Sequence, residues 1–217
     1  LEVNSIRYAA EMKVLSLRPD TQKEALPKPG TDPAFDLLMH TSTLCNNVRE
    51  GEEGPKGDSL EGALINFATD AGYAPGAIRL RYPEIWELPF DARRKLMATG
   101  HRDRDGYVMH VKGAFEVLLE QCEYILGPDG REPFITKQQW EREVTRLAAK
   151  GLRTLAFAFK PASDFPDKKT VLRDLVFLGV IGFMDPARKD VRPVFDVYRK
   201  AGIRVVMVTG DHPKTAL

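Results

Sequence analysis

The stretch Tyr107-Val108-Met109-His110-Val111-Lys112-Gly113-Ala114-Phe115-Glu116 constrains this chain most, because two periodicities meet inside it. Its first half alternates like a strand, and the run Val117-Leu118-Leu119-Glu120-Gln121-Cys122 that follows repeats like a helix. A lysine and a glycine fall where one becomes the other. A strand turning directly into a helix there offers a mobile positive charge and the unpaired first amides of the helix with their favourable dipole, which suits an anion or a nucleotide. Gly113 lets a ligand approach the backbone closely. A plain turn with a solvated lysine has the same spacing, so the rest of the chain has to decide.

The 217 residues suffice for one large domain or one and a half ordinary ones. Lys and Arg number 32 and Asp and Glu 31, a balance that argues against nucleic acid or an anionic membrane surface as partner. Cys45 and Cys122 stand far apart and in no metal-ligand spacing, which predicts reduced, buried thiols. The longest apolar run, Leu175 to Met184, is about half the length a membrane helix needs. The expectation is a soluble monomer without direct membrane contact.

The chain divides into a hinge segment over 1–20, whose mildly alternating run Met12 to Leu17 reads as a strand, a main domain over 21–170 and a truncated second unit over 171–217. Helices are predicted over 35–45, 58–72, 136–151 and 190–201, and a charged, glycine-rich surface loop over 51–57. At the third helix, Thr136 and Gln139 have capping-box spacing, and Ile135 and Trp140 the spacing of a hydrophobic staple. Residues 81–111 read as a meander of strands that delivers Lys112, and 154–159 as a further strand. The near-continuous apolar runs 175–181 and 203–208, with a helix between them, read as a parallel β-α-β unit. The fold class is thus α+β: an antiparallel sheet with flanking helices, followed by a partial parallel unit.

Several residues carry possible chemistry. Asp58-Ser59-Leu60-Glu61 is either a helix cap, with Glu61 returning to the backbone, or a carboxylate aimed at a ligand. Phe90, beside Asp91, Arg93, Arg94 and Lys95, is an ordinary half-buried aromatic or a platform for adenine stacking. Arg153 caps the preceding helix or holds phosphates with its planar fork. Thr209-Gly210-Asp211, at the end of a buried strand, places a hydroxyl, an open backbone and a carboxylate where ligands and Mg²⁺ bind in parallel sheets; Asp211 as a helix cap is the alternative. His101-Arg102-Asp103 imitates a kinase loop without its Asn, and Gly210 to Thr215 a phosphate loop with Pro213 where a glycine is required.

Taken in order, these residues resemble the cytoplasmic nucleotide-binding region of P-type cation-transporting ATPases. The signatures are Leu44-Cys45-Asn46-Asn47, Gly57-Asp58-Ser59-Leu60-Glu61-Gly62-Ala63-Leu64, Pro89-Phe90-Asp91-Ala92-Arg93-Arg94-Lys95-Leu96-Met97 and Lys112-Gly113-Ala114-Phe115-Glu116. Gly151-Leu152-Arg153-Thr154-Leu155-Ala156, Asp185-Pro186-Ala187-Arg188 and Met207-Val208-Thr209-Gly210-Asp211-His212 complete the collinear set. The resemblance implies that ATP binds in a pocket of the antiparallel sheet. Phe90 then stacks on adenine, Glu61 and Lys95 flank the base, Lys112 lines the deep end with Gly113 and Ala114, and Arg153 contacts phosphate.

It also implies that Asp185, Thr209, Gly210 and Asp211 are remnants of a haloacid dehalogenase-like phosphorylation domain. There, in the intact cytoplasmic part of a membrane pump, an aspartate receives the γ-phosphoryl group with Mg²⁺. The implied partners are ATP and the remaining domains of the pump. The nucleophile segment Asp-Lys-Thr-Gly-Thr is absent and expected upstream of Leu1, so this chain by itself is expected to form no phosphoenzyme. Phe115 stands where the family usually has Pro, which puts the turn beside the pocket in question, and Ala187 replaces a second Pro. Two rivals stay open. One is a self-sufficient dehalogenase-type phosphohydrolase using Asp185 or Asp211; the other is a regulatory interaction domain that kept the fold and lost the ligand.

Overall fold

The alternation over 84–113 folds as three successive antiparallel strands because each strand can bury one set of side chains under helices and pair its backbone with the next. The structure, a computed structural model, describes residues 1–17, 26–51, 54–104, 106–164, 172–185, 191–204 and 206. In chain order it contains β1 (Glu2–Tyr8), β2 (Lys13–Ser16), α1 (Pro33–Leu44), β3 (Arg49–Gly51), β4 (Gly54–Lys56), α2 (Ser59–Asp70) and α3 (Pro75–Arg81). There follow β5 (Glu84–Asp91), β6 (Leu96–Asp103), β7 (Gly106–Gly113), α4 (Phe115–Gln121), β8 (Cys122–Gly127) and β9 (Gly130–Pro133). The last elements are α5 (Lys137–Ala149), β10 (Arg153–Ala162), β11 (Leu175–Met184) and α6 (Val191–Lys200).

The main sheet runs β2-β1-β11-β10-β7-β6-β5 with every neighbouring pair antiparallel; β8 joins it parallel to β11 and carries β9. One face is covered by α1, α2 and α3, whose Phe35, Leu38, Leu64, Phe67 and Ile78 pack with Ile6, Phe157 and Phe183 of the strands. The other face is covered by α4 and α5, where Leu118, Trp140 and Leu147 pack with Val111, Ala156 and Phe177. Phe177 is the hub of that side, stacked on Phe134 at 5.0 Å and edge-on to Trp140 at 4.8 Å. The fold is α+β, a large antiparallel sheet between two helical layers.

The run 175–181 reads as the opening strand of a parallel β-α-β unit, and here the structure differs. β11 lies inside the antiparallel sheet, between β1 and β10, with Val176 to Phe183 buried. A continuous apolar strand records burial on both faces, and helices on both sides of an antiparallel sheet give the same signature as a parallel one. A division near residue 170 would therefore separate β10 from its paired neighbour β11. Within the segment read as a hinge over 1–20, the strand expected over 12–17 is present as β2, and the sheet takes up a further, unexpected strand, β1. Its pattern is masked by buried polar residues, Asn4, Ser5 and Arg7, the last bonded through Nε to Glu143 Oε1 at 2.8 Å.

Smaller differences have local causes. Within the loop expected over 51–57, Gly51 and Gly54 pair as the ends of β3 and β4. Thr136 makes no side-chain cap bond to α5, and Ile135 is 88 % exposed, so neither capping box nor staple forms. The helix at 190–201 is present as α6, with Asp185 exposed just after β11. Thr209, Gly210 and Asp211 lie outside the described residues, as do Val205, Met207 and Val208 of the strand expected over 203–208.

Candidate functional site

The site begins at the first turn of α2. Asp58 caps it, its Oδ1 accepting from Leu60 N at 2.9 Å and Glu61 N at 3.3 Å, which fixes Glu61 on the turn facing the sheet. A capping box would return the Glu61 carboxylate to the backbone of Asp58. Instead Glu61 Oε1 accepts from Lys112 Nζ, and Oε2 accepts from the backbone amide of Asn47 at 3.1 Å. A buried ammonium is a stronger partner for a carboxylate than one exposed backbone amide, so the capping role falls to Asp58 alone.

Lys112 is accordingly not the mobile cation its position suggests. Its side chain is 7 % exposed and that of Glu61 13 %. The pair leaves the deep end of the site close to neutral. Gly113 has a different reason from the one inferred above: a Cβ there would stand 2.6 Å from Lys95 O and 2.7 Å from Leu96 Cβ. The close approach that demands glycine is that of β6, not of a ligand.

The β5–β6 turn brings the cations. Asp91 Oδ1 accepts from Arg93 N at 2.8 Å and Arg94 N at 2.9 Å, and these amides, Arg94's foremost, hold its carboxyl below the usual carboxylate range. The turn closes on Lys95, whose φ of 53° lies in the left-handed region, and Lys95 O accepts from Ala114 N at 2.9 Å. This bond ties the loop to the start of α4. Lys95 Nζ and Glu116 Oε1 are 3.4 Å apart and both largely exposed, a pairing that solvent screens to little value.

Between these elements opens a cleft of about 540 Å³, walled by Leu60, Met97, Thr154 and Leu155 as well as by Asn47 and Asp58. Glu61, Phe90, Lys95, Lys112, Gly113 and Ala114 all line it. Phe90 lines it with 63 % of its surface exposed, a ring face open to the cleft's surroundings. Arg153 is not in the lining; it is exposed at the start of β10, one residue before Thr154. Asn47, Leu60, Met97 and Leu155 were not legible as lining residues. For Met97 the available signal was its cross-strand pairing with Lys112, which needs the register of β6 on β7. Phe115, placed beside the cleft by sequence, packs on the other side of the sheet, 6.0 Å from Phe177.

Beyond Lys112 on the same face of β7 lies His110, fully enclosed. Its Nδ1 shares a 2.8 Å hydrogen bond with the Thr41 hydroxyl, and its ring meets that of His101 edge-on at 5.5 Å. His101 Nδ1 donates to Tyr82 O at 2.9 Å, which leaves Nε2 to accept from Thr99 Oγ1 at 2.9 Å. Burial, followed by the neighbouring His101 and His40 rings, pushes His110 well below the usual imidazole range. Cys45, buried nearby with Sγ 3.5 Å from Met97 O, is pushed up to about 11 by burial, and both thiols are free as expected.

The arrangement offers a flat apolar surface, an oriented carboxylate and rim cations. Such a set holds a planar heterocycle with an anionic tail. Among the described residues no group of three His, Cys, Asp or Glu side chains converges to hold a metal ion. Compared with known families, residues 34–190 match the P-type ATPase cytoplasmic domain N. This chain belongs to the P-type cation-transporting ATPases. It is 36 % identical over 194 residues to a cation-transporting ATPase of Synechocystis and 37 % identical over 194 residues to a calcium-transporting ATPase of Bacillus subtilis. The matches cover 86 % and 85 % of the chain, and 21 % and 22 % of those relatives. A sodium/potassium exporting P-type ATPase of Schizosaccharomyces pombe is 34 % identical over 96 % of the chain and 21 % of its own length. The chain thus spans about a fifth of these P-type ATPases, and among its described residues no helix is long and apolar enough to cross a membrane.

Proposed function

We propose that this N domain binds ATP in the cleft between α2 and the β5–β7 strands and presents it to an aspartate nucleophile elsewhere in the parent pump. The observation that carries the reading is the exposed Phe90 ring beside a cleft whose deep end is the Glu61–Lys112 pair. Adenine stacks on Phe90, Glu61 accepts from the base, Lys95 neutralises charge at the rim and Arg153 meets phosphate from the adjoining strand end. Mg²⁺ offsets the triphosphate charge, and residues from Asp185 onward belong to the phosphorylation domain; the boundary then falls after Met184 rather than near 170. The relatives' names differ in the cation carried, in keeping with ion choice lying outside this domain.

The chemistry proposed for the chain itself is positioning. Titrating ATP into the protein while following backbone amide shifts tests it, with Phe90→Ala and Lys112→Ala for comparison. A saturable response confined to the cleft, of about millimolar strength and so about 4 kcal/mol, is expected, since the phosphates gain only part of their contacts here. No saturation up to ~10 mM would sink the proposal, because affinity that weak is below any useful positioning energy.

A further inference from the structure

α1 ends without a basic residue in its last turn, yet its final carbonyls need donors. One of them, Thr43 O, is gathered together with Asn46 O and Val48 O beyond the helix by Arg79 from the last turn of α3. Its Nε and Nη2 reach Thr43 O at 3.4 and 3.3 Å, Nη2 reaches Asn46 O at 3.2 Å, and Nη1 reaches Val48 O at 2.7 Å. One half-buried guanidinium thus holds three carbonyls around the strap that follows α1. The strap in turn holds Glu61. Asn46 Nδ2 donates to Ser42 O at 3.2 Å and Glu61 O at 3.1 Å, its Oδ1 accepts from Val48 N at 2.9 Å, and Asn47 N donates to Glu61 Oε2 at 3.1 Å. Asn47 Nδ2 also reaches across to Glu87 Oε1 on β5 at 2.8 Å.

We infer that Arg79 is a positioning residue of the cleft: by gathering the carbonyls of Thr43, Asn46 and Val48 it keeps the Asn47 amide on Glu61 and sets the direction of that carboxylate. The inference rests on the nucleotide reading above for its consequence, not for its geometry. Lys112 fixes one carboxylate oxygen and the Asn47 amide the other, so the strap decides which lone pairs face the cleft. A carboxylate so aimed accepts from the amino group of adenine and repels the carbonyl that replaces it in hypoxanthine. A planar fork spreads its donors over three nitrogens and so reaches three separated carbonyls at once, whereas an ammonium radiates its three donors from a single atom. Arg79 itself does not line the cleft.

Hydrogen exchange of the Asn47 amide in the ligand-free protein, together with dissociation constants for ATP, inosine triphosphate and tripolyphosphate, tests this in wild type, Arg79→Gln and Arg79→Lys. In Arg79→Gln the Asn47 amide should exchange about tenfold faster and ATP should bind about tenfold more weakly, each the loss of roughly one charge-assisted hydrogen bond. Inosine triphosphate and tripolyphosphate should change by less than about twofold, since neither uses the acceptor, and Arg79→Lys should recover part of both effects. An unchanged Asn47 amide overturns the inference. So does equal weakening of all three ligands, which marks general loosening. If wild type takes up no ATP, the nucleotide reading fails and the Asn47 exchange alone decides the role of Arg79. Should Arg79→Gln not fold, Arg79→Lys carries the same comparison with a smaller effect.

Discussion

Lys112 and Glu61, one on a strand and one on a helix 51 residues away in sequence, form a buried ion pair at the deep end of the cleft. Each desolvated charge is tolerated only because the other is present. Lys112→Ala should therefore lower unfolding free energy by about 3–5 kcal/mol, as removal of one member of a buried pair does. Replacing both, with Lys112→Met and Glu61→Gln, should recover most of that loss. Urea denaturation of the two singles and the double measures the coupling, and additive losses would show that the partners are independent.

Phe90 should behave in the opposite way. Its ring is 63 % exposed, so Phe90→Ala removes little from the core and should change stability by no more than about 0.5 kcal/mol. Losing a base platform costs about 1–3 kcal/mol per stacked base, so ATP should bind about five- to a hundred-and-fiftyfold more weakly. Thermal melts and ATP titration on the same variant separate the two. A destabilised protein with wild-type affinity would make the ring structural.

Much of this site is readable from the chain because its parts are local. The Asp58 cap, the strand pattern that delivers Lys112 and the polar turn before Lys95 each follow from neighbouring residues. What is not readable is long-range. That Lys112 is buried depends on Glu61 meeting it from another element, and that Gly113 serves β6 depends on register. The apolar pattern of β11 reports two covered faces but not the direction of the neighbouring strands, and buried Arg7 conceals β1 because its partner Glu143 is on α5. The turn of α3 carrying Arg79 is too short, at 7 residues, to leave a periodicity.

Phe115 separates packing from binding. It is the first residue of α4, a position proline favours, and its buried ring meets Phe177 on the face away from the cleft. Phe115→Pro should keep the turn and lose the ring's contacts, with a stability loss of about 3 kcal/mol, in the range of large-to-small aromatic changes. ATP affinity should stay within about twofold. Denaturant melts and titration decide this, and a large affinity change with unaltered stability would return Phe115 to the cleft.

The acid limb of stability should be set largely by the buried imidazoles. His110 faces Thr41 and His40 of α1 and His101 of β6, none of which supplies a negative charge. Its folded affinity for a proton is well below the ordinary value of 6.5, and that of His101 is also lowered, in both cases first by burial. The unfolded chain therefore binds protons that the folded chain refuses. Stability is intact above pH 6.5 and falls as pH drops below it toward the folded values. Each such group contributes a slope of up to about 1.4 kcal/mol per pH unit. His110→Gln keeps an acceptor for Thr41 but cannot take the proton. It should cost stability near neutral pH through imperfect packing, yet lose one group's share of the slope below pH 6.5 while His101 keeps its own. Urea unfolding from pH 7.5 to about 5 compares the two limbs. Parallel limbs in wild type and variant would mean that His110 takes up no proton linked to unfolding in this range.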